Sequence, residues 1–132
     1  MSYNTKEVWI PIDSTLQNLA ASATGAAIPV TSGAGAITRG LLCGVFIRTA
    51  NADTDCNALP IKVFNGAPGT GNLLYSATYN LGVANNGTNV DDSDMLDSPV
   101  PFFAQPQIQI GPVQGSVTTT NYTVSLYIKP LA

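Results

Sequence analysis

Apolar and polar side chains alternate along much of the chain, and the alternation is most regular in its last segment. Over residues 121–129, one set of alternating positions is apolar and the other set is mainly polar. Successive side chains of a β-strand point to opposite sides, so this pattern predicts a half-buried strand rather than a helix. The positions predicted to face inward are Tyr122, Val124, Leu126 and Ile128.

Other β-rich segments follow the same pattern and are separated by turn residues about every 8 to 15 positions. The Gly-rich stretch 66–71 predicts the turn of a hairpin. Short strands at this spacing are typical of a β-sandwich or barrel, and we expect an all-β fold with one antiparallel β-sandwich. The further predicted strands cover residues 7–12, 26–31, 36–39, 60–65, 73–79 and 105–110, the last with Ile108 and Ile110 facing inward.

The segment 41–49 is apolar on both of its predicted faces. Alternation places Leu42 and Phe46, together with Arg48, on the face opposite to the other apolar positions. A strand of this kind is expected either in the middle of the protein or under a second subunit. The opposite face would hold Leu41, Cys43, Val45 and Ile47.

The N-terminal quarter has a weaker pattern. Ser14 is a candidate N-cap, and residues 14–23 fit either two helical turns or a strand. Residues 1–132 are expected to form one domain, with residues 1–25 a candidate extended arm. The first residues lack the basic and apolar stretches of a secretory signal, so we expect synthesis without export.

Composition excludes several functional classes. The chain has 132 residues, a net charge of −3, only 10% charged residues and no histidine. The five Lys and Arg residues are scattered along the chain and do not form the basic cluster that binds nucleic acid. No apolar run is long enough to cross a bilayer. Without histidine, serine triads and Cys–His pairs are excluded. We therefore expect a protein that is not an enzyme and that needs no cofactor.

Aspartates concentrate in two predicted loops. In the loop 51–57, oxygen-bearing side chains alternate, but the residues that an EF-hand needs at its sixth and twelfth positions are absent. In the second loop, Asp91, Asp92 and Asp94 are the stronger candidates for cation ligands, with Asp97 just beyond them. Most such clusters are solvated, so the expectation is that no metal binds.

The two cysteines allow two interpretations. Cys43 lies in an apolar run and Cys56 in a polar loop. Cys43 fits a small buried hydrophobe with Cys56 as a thiol, and a disulfide between them would close a short loop. Absence of an export signal favours the first interpretation, while the second remains open.

Three stretches resemble a known family: residues 39–50 (RGLLCGVFIRTA), 59–66 (LPIKVFNG) and 121–129 (NYTVSLYIK). In this order they are similar to the small β-sandwich proteins that decorate or cement the heads of tailed bacteriophages. The resemblance spans roughly residues 39–129. It implies a jelly-roll-like sandwich, a homotrimer, and binding to the major capsid protein on the outside of the virion, after synthesis in the host cytoplasm.

We expect some apolar residues to be buried between chains rather than within one chain. An exposed, contiguous apolar patch usually marks such an interface. An alternative function is a glycan-binding or host-surface-binding module, which predicts exposed aromatic side chains near the loops 66–71 or 83–97. A genome-enclosing capsid subunit is disfavoured because the N-terminus lacks a basic arm. The predicted interface residues are Trp9, Leu42, Phe46, Phe102 and Phe103.

Overall fold

The computed structural model describes residues 8–13, 27–32, 35–50, 59–79, 90–112 and 121–131. Within these ranges the regular elements are all β-strands. The described residues therefore contain no helix that could span a membrane. The strands are β1 (Val8–Asp13), β2 (Ile28–Pro29), β3 (Thr31–Ser32), β4 (Gly35–Ala36), β5 (Gly40–Ala50), β6 (Leu59–Asn65), β7 (Leu73–Tyr79), β8 (Val90–Phe102), β9 (Pro106–Ile110) and β10 (Asn121–Pro130).

Eight of these strands form two four-stranded antiparallel sheets. Sheet 1 has the order β1-β10-β5-β8, and sheet 2 has the order β2-β9-β6-β7. The short pair β3–β4 forms a separate ribbon. The chain passes repeatedly from one sheet to the other, and this arrangement of eight strands in two sheets is that of a jelly-roll sandwich. The predicted all-β sandwich is confirmed.

The core lies between the inner faces of the two sheets. Sheet 1 contributes Val124, Leu126 and Ile128 from β10, all fully buried. Alternation within each strand places these side chains inward and leaves the intervening positions outward. Sheet 2 and the chain segments at its ends contribute Val30, Leu59, Ile61, Val63, Tyr75, Tyr79, Ile108 and Ile110.

The predicted β6–β7 hairpin and the strands β9 and β10 are confirmed, including the inward positions of Ile108 and Ile110. Gly66 and Gly71 adopt φ values of 88° and 89° in the hairpin loop, where side chains other than glycine are strained. Pro106 begins β9, a position at which proline is tolerated in a sheet.

The prediction of an acidic loop around residues 91–97 is wrong. Residues 90–102 form β8, which pairs with β5 and is the edge strand of sheet 1. Edge strands accept charged side chains because these discourage pairing with other molecules. Backbone hydrogen bonding to β5 therefore forms the strand despite residue types that rarely occur in strands.

The prediction that Leu42 faces away from Val45 and Ile47 is also wrong. The register of β5 against β8 shifts between Leu42 and Gly44, which marks a β-bulge. The additional residue reverses the alternation, and Leu42 joins Val45 and Ile47 in the core with 1% of its surface exposed. β5 itself lies between β10 and β8, as expected of a strand in the middle of a sheet.

Several predictions fall on residues that lie outside the described ranges. These are the helix or strand at 14–23, the loop 51–57 and Cys56, the partner of Cys43 in the alternative disulfide. The predicted arm at 1–25 also lies outside the described ranges, apart from residues 8–13, which form β1. Cys43 is buried, and its sulfur lies 3.7 Å from the carbonyl oxygen of Leu41.

Candidate interaction surfaces

A continuous row of paired residues crosses the outer face of sheet 1. Trp9 pairs with Tyr127, Tyr127 pairs with Gly44, and Gly44 pairs with Met95, so the row spans all four strands. Tyr127 is half-buried, whereas Met95 keeps 53% of its surface exposed. We call Tyr127, Gly44 and Met95 the apolar row.

Glycine at position 44 lets Met95 lie across the sheet. A Cβ atom built on Gly44 would be 2.6 Å from the sulfur of Met95 and 3.1 Å from the carbonyl oxygen of Asp94. The missing side chain thus leaves the space that the Met95 thioether fills. A flexible thioether over a flat strand can adapt to a partner surface.

Phe46 extends this apolar surface into the neighbouring row of sheet 1. It pairs with Ser125 on β10 and Ser93 on β8, and Ser125 pairs with Pro11 on β1. Phe46 is half-buried and lies between two fully buried positions of its strand, so it belongs to the outer face. These two rows contain no Asp, Glu, Lys or Arg.

The outer face of sheet 2 has a different character. Lys62 of β6 pairs with Ser76 of β7 and Gln109 of β9, and Pro60 pairs with Thr78. Ser76 and Thr78 are exposed, and the other three are half-buried. This face resembles the ordinary solvated side of an antiparallel sheet.

Phe103 is the most exposed large apolar side chain of the described residues, with 71% of its surface accessible. It lies in the turn between β8 and β9, directly after Phe102, which has 1% of its surface exposed and belongs to the core. Adjacent residues at the end of a strand point to opposite sides, so one phenylalanine anchors the turn and the other projects from it.

The turn that carries Phe103 is fixed to the β6–β7 hairpin. The side-chain oxygen of Asn65 accepts hydrogen bonds from the backbone N–H groups of Phe103 and Ala104, both at 2.9 Å. A Cβ atom on Gly66 would lie 3.4 Å from the Ala104 Cβ, so the two loops are in contact. We call residues 66–72 and 103–105 the tip.

A hydrogen-bonded cluster joins the two sheets where their edge strands β7 and β8 meet. The hydroxyl of Tyr75 donates to a carboxylate oxygen of Asp94 at 2.8 Å, and the hydroxyls of Tyr75 and Tyr79 are 2.8 Å apart. A tyrosine has one hydroxyl hydrogen, so Tyr79 is the donor to Tyr75. The cluster closes this edge of the sandwich.

The environment of the cluster keeps both tyrosines neutral. Burial raises the pKa of Tyr75 far above its usual value, and its hydrogen bonds with Tyr79 and Asp94 raise it further. Burial also raises the pKa of Tyr79, although its hydrogen bond with Tyr75 acts in the opposite direction. The neutral hydroxyls form a chain of hydrogen bonds from Tyr79 through Tyr75 to Asp94.

The predicted interface residues do not form one surface. Leu42 and Phe102 lie in the core of the single chain, where a partner cannot reach them. Phe46 lies on the outer face of sheet 1, and Phe103 lies on the tip. Trp9 has a register position opposite Tyr127.

The aspartates proposed as weak metal ligands do not gather into one group. Asp92 and Asp94 take register positions opposite Ile47 and Val45, while Asp91 takes the alternate position opposite Arg48. The Asp92 carboxylate accepts a hydrogen bond from the Ser93 N–H at 2.8 Å. Among the described residues, no three acidic or cysteine side chains are close enough to hold a metal ion.

Sequence reasoning missed the residues that organise these surfaces. Met95 and Asp94 were assigned to a loop, and the role of Asn65 depends on a turn that follows it by 38 residues. One available signal was the Pro-rich stretch around residues 99–106, which indicates a stiff, strand-like segment. The pairing of Tyr75 with Asp94 joins different sheets and has no local sequence signal.

No protein-family model matches the chain, and no curated protein matches it. Among solved structures, it is similar to a carbohydrate-binding module from the glycoside hydrolase family 9 enzyme Cel9A of Ruminococcus flavefaciens. The TM-score is 0.52 at 12% identity, over 92% of this chain and 98% of that one. This likeness shows the β-sandwich fold alone.

Two other solved structures have lower scores. An exo-beta-1,3-galactanase from Phanerochaete chrysosporium has a TM-score of 0.49 at 15% identity, and the match covers 96% of this chain and 27% of that enzyme. This chain therefore spans about a quarter of the enzyme's length. A protein of tomato aspermy virus has a TM-score of 0.47 at 5% identity, over 96% and 78% of the two chains.

Proposed function

We propose that this chain is a structural protein of a bacteriophage head, which binds the outer capsid surface as a homotrimer and stabilises it. The observation that carries the proposal is the outer face of sheet 1, where Phe46, Tyr127 and Met95 form an apolar surface free of charge. Apolar surface with exposed methionine and aromatic residues is typical of contacts between proteins. The sequence resemblance to head decoration proteins supports the same assignment.

The distribution of charge also supports an assembly role. The rows of sheet 1 that contain Tyr127 and Phe46 carry no Asp, Glu, Lys or Arg, so contact there would not require charges to lose their hydration. The carboxylate of Asp94, the residue before Met95, already accepts a hydrogen bond from Tyr75. In a trimer, each protomer would place this face against a neighbouring copy and leave the tip accessible.

The test is binding of the purified chain to phage heads that lack it. Heads are prepared from a phage whose gene for this chain is deleted, incubated with the protein and sedimented. We expect saturable binding of hundreds of copies per head, counted by quantitative mass spectrometry, and a higher temperature of head disruption. Absence of binding, or absence of the chain from intact wild-type particles, would contradict the proposal.

A glycan-binding module is the second candidate, and Phe103 is the observation that favours it. An exposed aromatic side chain beside the loop 66–71 is what this alternative predicts, because sugar rings stack on aromatic faces. A glycan array, followed by calorimetry with any sugar that binds, tests it directly. Specific binding that Phe103→Ala abolishes would favour this candidate over head decoration.

A further inference from the structure

The tip holds Phe103 in a rigid frame. Besides the two N–H groups bound to Asn65, the side-chain nitrogen of Gln105 donates to the carbonyl oxygen of Val30 at 3.0 Å, and Val30 is fully buried. The turn therefore has anchors on both sides of Phe103. An exposed side chain on such a frame loses little conformational freedom when a partner covers it, which favours tight binding.

The amide side chains around Phe103 are engaged within the chain. The Asn72 side-chain nitrogen donates to the backbone carbonyls of Asn65 and Ala67, while its side-chain oxygen is buried and has no hydrogen-bond partner among the described residues. Sugar recognition requires polar groups that are free to bond hydroxyls beside the aromatic ring. The amide groups of Asn65, Asn72 and Gln105 that bond within the chain are not free in this way, which favours an apolar contact over a glycan.

The tip is also uncharged. Residues 66–72 and 103–105 contain no Asp, Glu, Lys or Arg. Nucleic acid and anionic lipid surfaces are bound through clustered cations, which are absent from these loops. A neutral, rigid surface with one projecting phenylalanine matches an apolar pocket in a folded protein.

We propose that Phe103 is the anchor by which this chain docks into an apolar pocket of the capsid protein on the head surface. The inference rests on the proposed function and assigns its capsid contact to the tip rather than to sheet 1. Ala67 and Pro68 of the adjoining hairpin loop are also exposed, and they would add neutral contacts beside the anchor that exclude water in the complex.

The experiment compares Phe103→Ala with the unchanged protein in the binding assay on heads that lack the chain. We expect affinity to fall about 30-fold or more, as for a residue that dominates an interface. The matched control is Leu73→Ala, which truncates another large side chain with 49% exposure next to the same hairpin loop. Its affinity should stay within about twofold of the unchanged protein.

Two further measurements keep the outcomes distinct. Phe103→Ala should retain the thermal unfolding temperature and the molar mass of the unchanged protein, because the side chain lies outside the core. Unchanged head binding by Phe103→Ala would overturn the inference while leaving the proposed function standing. If the Phe103→Ala variant formed a smaller oligomer than the unchanged protein, the inference would also be overturned. That result would show that Phe103 contacts another copy of this chain. Failure of the unchanged protein to bind heads would refute the proposed function itself.

Discussion

The two sheets have equivalent inner faces and different outer faces. Each sheet contributes fully buried aliphatic side chains to one core. On the outside, sheet 2 presents Lys62, Ser76 and Gln109, whereas sheet 1 presents Phe46 and Met95 in its middle, beside Ser93, Ser125 and Lys129. The core requires only that inner positions be apolar, so packing between the sheets does not account for the outer difference.

The outer face of sheet 1 departs from the usual pattern of a solvated sheet. An antiparallel sheet with one solvated side normally alternates apolar inward and polar outward positions, as β9 does. β5 departs from this rule on its outer side, and Gly44 adds a site where the neighbouring methionine spreads over the strand. Under the proposed function, sheet 1 is the assembly face and sheet 2 is the solvated face.

The largest expected effect concerns the inner faces, where the sheets should behave alike. Leu126→Ala in sheet 1 and Ile61→Ala in sheet 2 each remove a fully buried side chain. Each should lower the free energy of unfolding by about 2–5 kcal/mol, measured by chemical denaturation. A loss below about 1 kcal/mol for either variant would mean that its sheet contributes less to the core than the structure shows.

A smaller effect is expected where the edges of the sheets meet. Tyr75→Phe removes the hydroxyl that links Tyr79 to Asp94, which leaves two buried or half-buried polar groups without this partner. The free energy of unfolding should fall by about 1–3 kcal/mol. Thr78→Val, on the exposed face of the same strand, is the control and should change it by less than about 0.5 kcal/mol.

The same cluster predicts a dependence on alkaline pH. The pKa of Tyr75 is raised in the folded chain, so its contribution to stability is fully present below the unfolded pKa of about 10 and is lost as the pH rises further. Stability should therefore decrease above about pH 10. Tyr75→Phe should show a shallower decrease than the unchanged protein between about pH 9 and pH 11, and equal slopes would contradict the assignment.

Sequence patterns predicted the parts of the fold in which each strand has one apolar and one polar face. β10 and the β6–β7 hairpin follow this rule, and their bounds agree with the structure to within one or two residues. β8 was missed because its hydrogen bonds to β5 form through the backbone, while its aspartates are tolerated at an edge. Leu42 was placed on the wrong face because a β-bulge reverses the alternation of side chains. No residue type in this segment indicates the bulge from the sequence.

The candidate surfaces were predicted only in part for a related reason. Apolar character alone selected Leu42 and Phe102 together with Phe46 and Phe103, although the first two are core residues. Exposure depends on which face a strand turns to its own core, and that depends on register. Contacts between sheets, such as Tyr75 with Asp94, depend on the tertiary fold and leave no periodic signal.

The most direct test of the difference between the two faces is the molar mass of two matched variants in sedimentation equilibrium at micromolar concentration. Met95→Lys places a charge on the outer face of sheet 1, and Ser76→Lys places one on the outer face of sheet 2, both at exposed positions. We predict that the unchanged protein and Ser76→Lys sediment at three times 13.7 kDa, and that Met95→Lys sediments at 13.7 kDa. A monomeric unchanged protein, or a trimer that Met95→Lys leaves intact, would contradict the assignment of sheet 1 as the assembly face.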